Sequence, residues 1–311
     1  MRLNQDHAVP VCLALMAFAG VTSSVSAQAI ELYDNGPFVT ETGVGFDGAD
    51  ISRAETTVIT FSMSNVTNTS GLPSHVLDDF TIPVGAAWRV LRLRIFGTQT
   101  QASGTESLES NFQGGFVKIY SADPRIDGGA GAIGGDFTTN RLVASSFSNA
   151  YRVSRTGAAS DHSRPIFKLD IDTTFLPPLQ AGQYWVEYTT LGDPARAGIP
   201  STFPVTPLPT PNGSQYFNGQ YFTAPNQLLE APFRLVGIPR CGIADVASLG
   251  GATVFDGQLN ADDIIAFLGA FFGGDLTIAD VASLGGGAGG DGQLTADDVV
   301  AFLGAFFAGC P

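Results

Sequence analysis

The strongest constraint on this chain is an internal repeat towards its C-terminal end. Ile243–Gly251 reads IADVASLGG, and Ile278–Gly286 reads IADVASLGG again, 35 residues later. DGQLNADDIIAFLGAFF (Asp256–Phe272) then recurs as DGQLTADDVVAFLGAFF (Asp291–Phe307) at the same offset. Self-similarity at a fixed period means two copies of one structural unit, each too small to bury its own apolar face. The repeats span residues 243–275 and 278–310 of a module at 241–311, and each reads as a loop followed by a helix. Asn260 and Thr295 sit at the N-cap, with Asp263 and Asp298 three residues on, a capping-box-like start with Asp in place of Glu. Ile264, Phe267, Leu268, Phe271 and Phe272 follow at helical spacing, as do Val299, Phe302, Leu303, Phe306 and Phe307. Two such stripes are expected to bury each other. Ala266, Gly269 and Ala270 keep the other face small and permit close approach.

The loops are acidic. Residues 241–311 hold nine Asp and no Glu, Lys or Arg, and eight of the nine fall at equivalent places in the two repeats, Asp275 being the exception. Such a density of like charge repels itself unless a counter-ion intervenes, and Ca²⁺ is the usual one outside cells. EF-hand-type loops draw oxygen ligands from positions 1, 3, 5, 7, 9 and 12, with Gly at 6. Placing Asp256 at 5 puts Gly257 at 6, the Gln258 carbonyl at 7, Asn260 at 9 and Asp263 at 12. The second copy gives Asp291, Gly292, Gln293, Thr295 and Asp298. Position 1 falls on Ala252 and Gly287, and position 3 on Val254 and Gly289, which carry no carboxylate. Asp245 and Asp280 are therefore expected to fold back as substitute first ligands. The alternative is that Asp256-Gly257 only turns the chain and Asp263 only caps a helix.

Cys241 and Cys310 bracket this module. In an oxidising compartment two such cysteines read as one disulfide. A loop of this length would contribute about 4 kcal/mol on a loop-entropy model.

The stretch resembles dockerin domains, which also carry two copies of a calcium loop plus one helix. It is closer still to the GC-type dockerin-like anchor of secreted bacterial proteins. The matching residues are Cys241, the two ADVASLGG…DGQL(N/T)ADD(I/V)(I/V)AFLGAFF units, and Gly309-Cys310-Pro311. The resemblance covers about 70 residues and implies calcium binding and attachment to a cohesin-like or cell-surface protein partner.

The N-terminus reads as a signal peptide over residues 1–29. Arg2 precedes a short apolar stretch, Val9 to Val21, and small residues follow, with Val25-Ser26-Ala27 or Ala27-Gln28-Ala29 as cleavage sites. The run is too short for a stable membrane span, so the mature chain is expected to be exported, with no transmembrane segment, to the medium or the cell surface. The net charge of −14 offers no basic stripe to neutralise phosphates, which argues against nucleic acid.

Residues 30–240 read as one β domain. Charged residues are sparse at 14%, while Gly (38), Pro (18) and Phe (23) are frequent, as suits an all-β chain with many turns. Candidate strands are Thr57–Ser64, Asp79–Pro83, Trp88–Gly97, Phe116–Ser121, Arg141–Phe147, Tyr151–Ser154, Ile166–Asp172, Gln183–Thr190 and Pro232–Gly237. Several alternate apolar and polar residues. The expected fold class is mainly β, a jelly-roll-like β-sandwich body followed by a small all-α module. Asp127–Asp136 reads as a Gly/Ala loop, and Leu191–Asn226 as a flap bearing Phe203, Tyr216, Phe217, Tyr221 and Phe222.

Catalytic inventory in the body is thin. His75 and His162 sit in polar, loop-like contexts, and neither HExxH nor GxSxG occurs. Gly129–Gly134 matches GxGxxG without a strand–helix unit around it. Asp170 and Asp172 share a face of one expected strand and read as solvent-facing; Asp78 and Asp79 read as a strand opening. Glu187 lies between Trp185, read as core, and Tyr188, a setting that could suit a sugar. Two readings remain: a non-catalytic surface or matrix protein tethered by its C-terminal module, or a carbohydrate-binding or carbohydrate-degrading component acting on polysaccharide through residues 30–240.

Overall fold

A computed structural model describes residues 28–54, 74–100, 108–193, 197–198, 212–222 and 231–310. The expected strand at Thr57–Ser64, nearly all of the leader, and Phe203 lie outside them. The described body is mainly β, as expected. Its strands are β1 (Ile30–Asp34), β2 (Asp50–Ala54), β3 (Ser74–Gln99), β4 (Phe112–Tyr120), β5 (Ala132–Asp136), β6 (Leu142–Ser154), β7 (Pro165–Asp172), β8 (Leu179–Gly192), β9 (Ala197–Gly198), β10 (Ser214–Phe217), β11 (Gln220–Phe222) and β12 (Phe233–Pro239). A four-residue helix, α1 (Pro124–Asp127), interrupts them. Together they form one twelve-stranded mixed sheet whose main path runs β2-β6-β7-β3-β8-β4-β5. Only the β2–β6 pairing is parallel among the described strands.

β3 joins the two ends of this sheet. The expectation of two strands at Asp79–Pro83 and Trp88–Gly97 resolves into one 26-residue strand. Its first part pairs with β8 and β10, and its second part with β7 and β12. The register shifts between Ile82 and Ala87, where Val84 is fully exposed and Gly85 takes φ +84°. A residue with a Cβ adopts that backbone poorly, so glycine lets the strand bend without ending. Apolar side chains from both parts, Val76, Phe80, Leu93 and Ile95 among them, enter one core with Phe167, Ile171, Phe233 and Leu235.

Arg92 and Arg94 interrupt the apolar run of β3 for a cross-strand reason. They stand opposite Asp172 and Asp170 of β7, and Arg94 grips Asp170 through Nε at 2.7 Å and a terminal nitrogen at 3.1 Å. The two aspartates are thus half-buried ion-pair partners, not the purely solvent-facing groups expected. Asp78 also departs from expectation: it lies inside β3 and is fully buried. Its carboxylate accepts from Asn35 Nδ2 (2.9 Å), from Ala231 N (2.7 Å) and from the Asp79 amide (2.9 Å). It ties β3 to the end of β1 and to the start of β12. The stretch expected as a loop at Asp127–Asp136 ends in β5, which pairs with β4. Within the expected flap, Leu191–Gly192 end β8, β9 pairs with β3, and the β10–β11 hairpin pairs with β3 through β10.

The C-terminal module contains α2 (Ala261–Gly273), α3 (Leu276–Ala279) and α4 (Ala296–Ala308), with a two-stranded ribbon of β13 (Ala282–Ser283) and β14 (Gly287–Ala288). The capping boxes are present as read, Asn260 with Asp263 and Thr295 with Asp298. The helices meet through Phe267 and Phe302, equivalent residues of the two repeats, stacked at 3.9 Å and 12°. Ala270 lies at this contact, whereas a Cβ on Gly269 would meet open space. The buried stripe is narrower than expected, since Phe272 and Phe307 are 82% and 80% exposed. Cys241 and Cys310 stand at disulfide distance, Cα to Cα 4.9 Å. The unmatched Asp275 caps α3, accepting from the Thr277 amide; the residue at its place in the first repeat is Arg240, which donates to the Asp245 carbonyl.

Replacing Asp78 by Ala strands the Asn35 and Ala231 donors in a buried site. The expected loss is about 2–4 kcal/mol, read as a lowered denaturation midpoint with an unchanged denaturant slope.

Candidate functional site

In each repeat the aspartates face backbone N–H groups. Asp245 does fold back over the Asp256-Gly257 turn: Oδ1 accepts from Asp256 N (3.0 Å), and Oδ2 from Gly257 N (2.9 Å) and Cys241 N (2.8 Å). Asp263 accepts from Val246 N and Ala247 N through Oδ1, each at 2.9 Å, and from Asn260 N through Oδ2 at 2.9 Å. Asp256 accepts from Leu249 N and Gln258 N, and Asp262 from Gly250 N. The second repeat reproduces the pattern. Asp280 takes Asp291 N and Gly292 N; Asp298 takes Val281 N, Ala282 N and Thr295 N; Asp291 takes Leu284 N and Gln293 N; Asp297 takes Gly285 N.

The carboxylates thus close the loop by satisfying amides that no helix or ladder reaches. The ten residues read from the sequence as oxygen ligands, Asp245, Asp256, Gln258, Asn260, Asp263, Asp280, Asp291, Gln293, Thr295 and Asp298, do gather in two loops. Their carboxylates are spread around those loops, and among the described residues no three acidic, His or Cys side chains form a metal-holding group. As arranged, the donor set fits a calcium cage poorly, because much of its lone-pair capacity is directed at N–H groups. The Asn260 side chain accepts from Asp262 N, and Thr295 Oγ from Asp297 N, which are capping roles.

Burial and hydrogen bonding compete at these carboxyls. For Asp245, burial is the larger effect and pushes the pKa above its ordinary 3.8; the Cys241, Asp256 and Gly257 amides offset it in part, and Asp263 adds to the rise. For Asp298, burial also pushes upward, but the Thr295, Ala282 and Val281 amides together with the Thr295 hydroxyl outweigh it and hold the pKa below 3.8.

The body contains a second polar cluster that sequence reading did not assemble. His75, read as a loop residue, lies in β3 and is buried. Its Nδ1 donates to Glu187 Oε1 of β8 at 2.9 Å. Glu187 Oε2 accepts from Tyr120 of β4 at 2.6 Å and from Tyr221 of β11 at 3.2 Å. Burial, then the Glu187 charge, pushes both phenols far above their ordinary 10.0, so they remain proton donors. The His75 ring lies 3.9 Å from that of Phe137 and 5.1 Å from that of Tyr216. Arg125 stacks over Trp185 at 4.4 Å and donates to Ser214 Oγ and Asn212 O. Both Glu187 oxygens accept hydrogen bonds, so this cluster clamps the β10–β11 hairpin to the sheet. The one signal in the sequence was Glu187 flanked by Trp185 and Tyr188; its partners come from strands far apart in the chain.

The two shifts in the module have opposite signs. Asp298, with a depressed pKa, contributes stability present above its unfolded value and lost as pH falls through its folded value. Asp245, with a raised pKa, makes a contribution that is full below its unfolded value and lost as pH rises through its folded value. Carboxyl NMR titration should therefore place the Asp245 midpoint above 3.8 and that of Asp298 below it; the reverse order would refute the hydrogen-bond scheme. Comparison of the chain with family models, with curated proteins and with solved structures found no match.

Proposed function

We propose that this is a secreted, non-catalytic surface or matrix protein, held in place by an assembly module at residues 241–311. One observation carries the reading: the two repeats present the same apolar residues to solvent. Phe272 and Phe307 are 82% and 80% exposed, Ile265 and Val300 66% and 69%, and Leu249 and Leu284 61% and 76%. Scattered exposed apolar residues are ordinary, but large exposed apolar side chains kept in both repeats support an interaction surface. With nine Asp and no Lys or Arg around it, that surface would be repelled by anionic lipid and by nucleic acid. A protein partner suits it, cohesin-like or otherwise fixed at the cell surface, as the dockerin resemblance implies. The body would be a sandwich-like platform with β3 shared between its layers, since both parts of β3 feed one core.

Fractionation of cells producing the full chain tests the role. The intact protein is expected in the surface fraction. A chain ending at Arg240, and the double variant Phe272→Ser/Phe307→Ser, are expected in the medium. Surface retention of both would overturn the assignment, and an unchanged melting temperature for the double variant would separate lost docking from lost folding.

The aspartate–amide hydrogen bonds close both loops without a metal. The protein is therefore expected to keep its module folded in chelator, and any stabilisation by added calcium is expected to follow mass action alone. Unfolding of 241–311 in chelator, seen by loss of helical circular dichroism, would show instead that the metal builds the loops.

A further inference from the structure

A cavity of about 340 Å³ lies in the body, away from the Glu187 cluster and from the C-terminal module. Its wall is aromatic. Phe46 and His162 stack at 4.0 Å and 26°, and Tyr151 meets both edge-on, at 88° and 80°. Phe147 extends that wall, 5.2 Å from Tyr151. Tyr151 is buried, whereas Phe46 is 36% exposed, so the wall is anchored on one side and open on the other.

Two polar side chains stand at the cavity, Asp47 and Asn149. Three non-glycine residues among those described have positive φ, and these are two of them, at +53° and +61°. Both backbones are set by their surroundings. Asp47 sits in a turn closed by Gly45 N to Ala49 O and by Ala49 N to Phe46 O. Asn149 sits in a bulge of β6, where the pairing jumps from Phe147–Phe167 to Ala150–Ile166 and Ser148 Oγ donates to Ile166 O. Bulges of this kind re-aim a side chain. Asp and Asn visit this region more readily than other residues, yet glycine would occupy it at no steric cost. Both side chains are exposed at the cavity, where a ligand could reach their polar groups.

We propose that this cavity binds a neutral sugar residue of a glycan. A pyranose offers an apolar C–H face to an aromatic wall and hydroxyl groups around its rim. A carboxylate accepts from hydroxyls, and a carboxamide both donates and accepts. The His162 ring adds a polar edge, its Nδ1–H donating to Ser160 O at 3.2 Å. Small-molecule sites span roughly 300–1,000 Å³ with a few placed polar groups on an apolar lining. This cavity falls at the lower end, which suits one terminal or branching sugar unit over a long chain segment. The free Asp47 charge and the acidic character of the protein select against uronic acids and sulfated sugars.

The test uses the full-length protein on an array of neutral glycans (glucans, mannans, galactans and xylans), with uronic-acid and sulfated glycans alongside, followed by calorimetry on the best neutral oligosaccharide. Asn149→Gly and Asp47→Gly are the informative variants, since each removes the polar group and relaxes the backbone. Their melting temperatures are expected to stay level or rise, while neutral-glycan affinity falls about tenfold or more. Phe46→Ala should lose binding as well. The proposal is overturned if no neutral glycan binds, if only acidic glycans bind, or if both glycine variants bind as the parent does. Surface retention through residues 241–311 is a separate measurement, so either result can fail without the other.

Discussion

Most of the body depends on the continuity of one strand through a bend. β3 hydrogen-bonds to β8, β10, β7, β12 and β9, so five other strands are placed by where they meet β3, and the rest attach through those five or their neighbours. The bend at Val84-Gly85 changes which neighbours are in reach without leaving an unpaired end. The buried Asp78 and the Arg92–Asp172 and Arg94–Asp170 pairs then fix register on either side of it. Side-chain period in a strand is two, so a slip by one residue would move the arginines into the core and Leu93 and Ile95 out of it.

How much of this was legible depends on the range of the interactions. The module was readable because its information is local and stated twice: N-caps at Asn260 and Thr295, helical spacing after them, and cysteines at both ends. The width of the buried stripe was not, since Phe267 and Phe272 are equally apolar and only packing of α2 on α4 decides which is covered. The body's strands were readable by alternation in β3, β7 and β8. β5 was missed because Gly and Ala carry no alternation signal, and its pairing to β4 is made by backbone alone. His75 and Asp78 were misplaced for a related reason: a polar residue in an apolar run reads as a break until its partners, here Glu187, Asn35 and the Ala231 amide, come from distant parts of the chain.

The aspartates carry a related lesson. Their spacing is that of an oxygen-ligand loop, and the positions without a carboxylate at the first and third places already marked a departure from it. In the fold, Asp245 and Asp263 act on amides in an otherwise irregular loop, the service that helix and ladder bonds perform elsewhere. The same residue pattern can thus be read as metal chemistry or as backbone bookkeeping, and the direction of each oxygen is what distinguishes them.

The bond between Cys241 and Cys310 closes residues 241–310 into a covalent ring. A protease that cut any exposed loop between them would nick the ring without opening it into two molecules. The severed halves would stay joined through sulfur, with both helices still on one molecule. Separating the two halves would then require reduction as well as cleavage, so the module keeps its covalent unity after its own backbone is cut.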